Sequence, residues 1–66
     1  MIFSERLREL RTQRGLTQSE LGKAVGLTDR AIRMYEAGTM VPKLPVLIAI
    51  ADYFEVSLDY LAGREV

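Results

Sequence analysis

Between Thr28 and Gly38 the chain sets out four side chains able to recognise a partner: Asp29, Arg30, Arg33 and Met34. At helical spacing they lie largely on one face, with Ile32 and Tyr35 on the other. An arginine guanidinium is a planar fork of donors that suits paired acceptors, whether a carboxylate, a phosphate or the O6/N7 edge of guanine. An aspartate accepts from an amine such as cytosine N4, and a methionine offers apolar contact. Nothing in the chain suggests catalysis. There is no histidine and no cysteine, so imidazole catalysis, thiolate nucleophiles, thiolate metal sites and disulfides are all excluded. Ser4, Ser19 and Ser57 each stand at or next to a helix start, where capping explains them. No phosphate-binding glycine loop or metal-ligand cluster is present. The chain is therefore expected to hold no catalytic residues, no metal and no cofactor, and not to be an enzyme.

The elements that position these side chains are helices. Thr17 with Glu20 three residues later forms a capping box, Leu21 and Val25 follow at helical spacing, and Gly26 can turn left-handed. Leu27 leads to Thr28, a second N-cap, and Gly38 ends that helix. Helix, glycine turn and helix with a polar outer face make a helix-turn-helix layout over residues 17–38. Upstream, Ser4 as cap and Gly15 as terminator predict a first helix from about Glu5 to Arg14, with Leu7 and Leu10 inward and arginines suiting its C-terminal dipole. Downstream, Thr39 to Lys43 is a loop closed by Pro42. Leu44, Leu47, Ile48, Ala51 and Phe54 then predict a core-facing helical stripe, with Pro45 in the first turn. Ser57 caps a last short helix with Leu58 and Leu61 inward, and Gly63 ends it. Arg64, Glu65 and Val66 are read as a frayed tail. The interior Gly22 is expected to serve a close backbone contact, at a cost of about 1 kcal/mol relative to alanine.

Sixty-six residues, 48% of them hydrophobic, make one small domain that must fold by packing alone. No room remains for a separate sensor or catalytic unit, so no small-molecule ligand is expected. Met1-Ile2-Phe3 is too short for a secretory core, and Leu44 to Ala51 is too short for a membrane span. A cytoplasmic protein without membrane partners is the expectation. The net charge is zero, but residues 1–43 carry eight basic and five acidic groups, +3, while residues 44–66 carry one basic and four acidic, −3. Such a dipolar chain can present one positive face.

The ordered set Leu16-Thr17-Gln18-Ser19-Glu20-Leu21, Val25-Gly26-Leu27-Thr28 and Ile32-Arg33-Met34-Tyr35-Glu36-Ala37-Gly38 resembles the phage repressor and Cro-type helix-turn-helix family. The similarity continues through Pro42, Leu44 to Phe54 and Val56-Ser57-Leu58-Asp59-Tyr60-Leu61. The resemblance implies an all-α, five-helix lambda-repressor-like domain over residues 1–66. It also implies that Asp29, Arg30 and Met34, with Arg33 alongside, face base edges in a DNA major groove about 12 Å wide. Gln18 would clamp a phosphate at a helix N-terminus, Thr28 would both cap and donate to the backbone, and Lys43 would reach a second phosphate strand. Arg11 and Glu36 would form a partly buried salt bridge of structural value. The family differs at Gly22, where alanine is usual, and at Lys43 and Pro45, which leave the fourth helix less well capped.

Each proposed contact has a structural alternative. Asp29 also suits a helix N-terminus, Met34 also suits packing, and Arg30 and Arg33 also suit a solvated face. Tyr53, Val56, Leu58 and Tyr60 could form a patch for a symmetric dimer, or be ordinary apolar surface. The expected function is a sequence-specific double-stranded DNA-binding transcriptional regulator, a repressor. It would read a palindromic operator as a homodimer joined by its C-terminal helices, with half-sites about 34 Å apart. The alternative is a protein-interaction module on the same fold, antitoxin- or anti-repressor-like, motivated by zero net charge and by Asp29.

Overall fold

The structure is a computed structural model that describes residues 2–64. Five helices follow in order: α1 (Ile2–Gln13), α2 (Gln18–Val25), α3 (Asp29–Ala37), α4 (Leu44–Phe54) and α5 (Leu58–Ala62). No strand occurs among the described residues, and no helix among them is long and apolar enough to cross a membrane. Glu65 and Val66, part of the expected tail, lie outside the described residues.

The helix starts follow side-chain oxygens. Thr17 Oγ1 accepts from the Glu20 backbone N–H at 3.0 Å, and the Glu20 carboxylate accepts from the Thr17 N–H at 2.8 Å. Thr28 accepts from the Ala31 N–H and Ser57 from the Tyr60 N–H. Lys43 makes no such bond at the head of α4, where Pro45 occupies the first turn instead. Gly26, Gly38 and Gly63 end α2, α3 and α5 in the left-handed region. Glu55 does the same for α4 at φ 56°, without the freedom glycine would bring.

The capping box gives a pH dependence. The bonds from Thr17, the backbone one first, hold the Glu20 carboxyl below its ordinary range. A carboxyl depressed in the folded state adds stability above its unfolded pKa of about 4.3. That contribution is lost as pH falls through the folded value. Glu20→Gln should therefore be less stable than wild type near neutrality, and the two should converge on acidification. Urea unfolding across that range checks it; a gap that stays constant would contradict the account.

Each helix gives the core one fully enclosed side chain: Leu7, Leu21, Ile32, Ile50 and Leu61. Phe3, Tyr35, Ala51 and Phe54 complete it, with Phe3 edge-on to Tyr35 at 6.1 Å between ring centres. This packing corrects three expectations. α1 starts at Ile2 and ends at Gln13, and Ser4 is a buried residue inside it rather than its cap. Extending the helix upstream brings Phe3 into the core, and that burial outweighs the capping preference of a serine. In α4 the buried face is Ile50, Ala51 and Phe54 with Leu47 against it, whereas Leu44 and Ile48 are 60% and 42% exposed. Leu58 in α5 is also exposed.

Gly22 sits where α2 meets the turn. The Leu27 N–H donates to its carbonyl at 2.7 Å, and an added Cβ would lie 2.7 Å from the Leu27 carbonyl oxygen. The obstacle is backbone of the turn itself and cannot swing away. Gly22→Ala should therefore lower the melting temperature. Overpacking of about 1–3 kcal/mol exceeds the helix-propensity gain of about 1 kcal/mol. A higher melting temperature would refute the close contact.

Candidate nucleic-acid interface

α3 divides into two faces. Ile32, Tyr35 and Glu36 are buried, while Asp29, Arg30 and Arg33 are exposed. The inner face is fixed by a carboxylate. Glu36, only 1% exposed at its side chain, takes Arg11 Nε on Oε2 at 2.5 Å and Arg11 Nη2 on Oε1 at 3.0 Å. Arg11 Nη1 donates to the Leu16 carbonyl at 2.8 Å. Hydrogen bonding to Glu36 raises the Arg11 pKa further above its already high value, so the guanidinium stays charged throughout the folded range. The pair joins α1 to the end of α3 and to the entry of α2, and so sets the angle at which α3 is presented.

Two more donors reach the same carboxylate. Gln18 Nε2 donates to Glu36 Oε1 at 3.3 Å, and Arg8 Nε lies 3.6 Å from that oxygen. Gln18 is half-buried, so one donor of its amide faces the protein. Arg8 stays largely exposed. Sequence reasoning missed Arg8, although it precedes Arg11 by three residues and thus shares its helix face.

The remaining sequence-predicted residues fall as follows. Thr28 is exposed, and its hydroxyl is used by the Ala31 N–H. The Arg30 side chain makes no hydrogen bond or ion pair among the described residues and stands in solvent. Arg33 Nη2 turns back to Asp29 Oδ2 at 3.0 Å, both groups more than half exposed. Met34 is half-buried, and its carbonyl accepts from the Thr39 N–H and hydroxyl. Lys43 is exposed at the position just before α4. Asp29, Arg30 and Arg33 are thus gathered on one exposed face, and Gln18 is tied to that helix through Glu36.

Arginines also account for the aromatic residues of the C-terminal half. Arg6 stacks over Tyr60 at 4.3 Å and donates to its carbonyl. Arg14 lies over Tyr53 and Phe54 at 5.1 and 5.0 Å and donates to the Tyr53 carbonyl. Such pairings keep guanidinium groups on the protein. The Tyr53 and Tyr60 rings are therefore partly covered from within the chain.

The model of the helix-turn-helix family matches residues 7–61, most of the chain. The chain belongs to the helix-turn-helix family. An uncharacterised helix-turn-helix-type transcriptional regulator of Bacillus subtilis, YqaE, is 42% identical over 64 residues, 97% of this chain and 55% of the relative. The cryptic phage CTXphi transcriptional repressor RstR of Vibrio cholerae is 34% identical over 97% of this chain and 57% of its own length. This helix-turn-helix chain spans about half the length of the curated relatives it matches. Among solved structures, the P22 c2 repressor in complex with a synthetic operator superposes with a TM-score of 0.91 at 31% identity, covering 98% of each chain.

Proposed function

We propose that this helix-turn-helix domain binds double-stranded DNA sequence-specifically as part of a transcriptional regulator, acting as a repressor, with α3 in the major groove. The observation that carries the reading is α3 itself. Its inner face is fixed through Glu36, and its outer face offers the Arg30 fork, which has no partner among the described residues. The likeness to an operator-bound repressor supports it. Arg30 donates to guanine O6 and N7, Asp29 and Arg33 reach neighbouring edges, and Met34 lies against a thymine methyl. Gln18 keeps one amide donor for a phosphate, Thr28 places the start of α3 against the backbone, and Lys43 grips a second phosphate. The domain is a non-enzymatic, cytoplasmic binder of the operator.

Arg6, Arg11 and Arg14 are engaged within the fold, which takes three of the nine basic side chains away from phosphates. Affinity per protomer is then low, and a homodimer joined through the C-terminal helices, where Leu58 is exposed, supplies the second half-site. Exposed Val41, Leu44 and Ile48 favour a second reading as a protein-binding module. Selection of bound duplexes from a random pool, followed by a salt titration, tests the function. An enriched motif whose binding weakens steeply with salt is expected. No enrichment, with salt-insensitive binding to a protein, would favour the second reading.

A further inference from the structure

The structural task of the Asp29–Arg33 pair is small. Asp29 suits the N-terminal dipole of α3. Both groups are more than half exposed, they join only residues of one helix, and an exposed pair one turn apart adds little stability. It does change what the outer face can bind. On the proposed reading that α3 enters the major groove, a carboxylate stands among phosphates and holds one of the two arginines of the recognition face.

We infer that Asp29 is a specificity-determining residue: it withholds Arg33 from phosphates and releases it to a base step that presents an acceptor pair beside an exocyclic amine. The reason is an exchange of partners. A phosphate can take Arg33 but gives Asp29 nothing, and it leaves a bare carboxylate beside a polyanion. A guanine offers O6 and N7 to Arg33, and a neighbouring cytosine N4 or adenine N6 amine offers a donor to Asp29. Only there are both members of the broken pair served. The two side chains stand one helical turn apart on the same exposed face, so both can turn outward together. Arg30, lacking such a partner, contacts phosphate or guanine without this condition.

The test uses the full chain as wild type, Asp29→Asn, Arg33→Gln and the double variant. Each is titrated with the pool-selected duplex and with a duplex of random sequence at several salt concentrations. Asp29→Asn should bind the random duplex about tenfold more tightly, with a log–log salt slope steeper by about one. It should also relax the preference for the amine-bearing base, because an amide offers a donor as well as an acceptor, while keeping the guanine. In the Arg33→Gln background the same substitution should leave the slope unchanged. An equal gain in both backgrounds would mean that Asp29 acts by its own charge alone, and would overturn the inference. So would random-duplex binding that Asp29→Asn does not move, in a wild type that does select a sequence. A wild type that selects no sequence at all overturns the groove reading itself and this inference with it.

Discussion

Glu36→Ala should cost about 3–5 kcal/mol of folding stability, because it leaves the Arg11 guanidinium enclosed and unpaired. Three hydrogen bonds go with the carboxylate, two from Arg11 and one from Gln18. For 66 residues the whole stability is about 3–10 kcal/mol at typical values per residue. The variant should therefore be partly unfolded at room temperature or close to it. Glu20→Gln removes an exposed cap interaction and should be much the milder change. Urea midpoints of the two variants decide the matter. If Glu36→Ala proves the milder one, the buried pair does not brace α3 and its angle must be set by apolar packing alone.

Arg30→Ala should leave the fold intact and weaken binding to the selected duplex by about 5- to 150-fold, the value of a bidentate contact to guanine. The side chain is exposed and makes no bond among the described residues, so no packing change can imitate the effect. The loss should vanish when the matching guanine is replaced. Arg33→Ala should cost less, because Arg33 must first leave Asp29. A direct titration in which Arg30→Ala matches wild type would remove the residue that the proposed readout most depends on.

The boundaries of α2, α3 and α5 and the two-helix unit were legible because local chemistry marked them. Thr17 with Glu20, Thr28, Ser57 and the glycines at 26, 38 and 63 each do locally what their types predict. The Arg11–Glu36 pair was legible only by family resemblance, since nothing in the spacing joins residues 25 apart. α4 was misphased because it is apolar nearly all round: with Leu44, Leu47, Ile48, Ile50 and Ala51 all hydrophobic, the 3.6-residue period cannot say which side is buried. Its end was unmarked as well, since Glu55 adopts the left-handed conformation in place of a glycine. At the site, residue types indicated which groups could bind but not which were already engaged. Arg6 and Arg14 face Tyr60, Tyr53 and Phe54, contacts across the fold that no local spacing marks. Arg33 and Asp29 read as separate contacts and instead hold each other. Such choices depend on which acceptor the folded chain brings nearest.

Chemical interference on the selected duplex tests the groove claim most directly. Methylation of guanine N7 alters only the major groove, and methylation of adenine N3 only the minor groove. Binding should fail when particular guanines of the motif carry the N7 methyl group, and the guanine opposite Arg30 should drop out of that pattern in Arg30→Ala. Interference confined to adenine N3, or none at either position, would contradict a helix that reads base edges from the major groove.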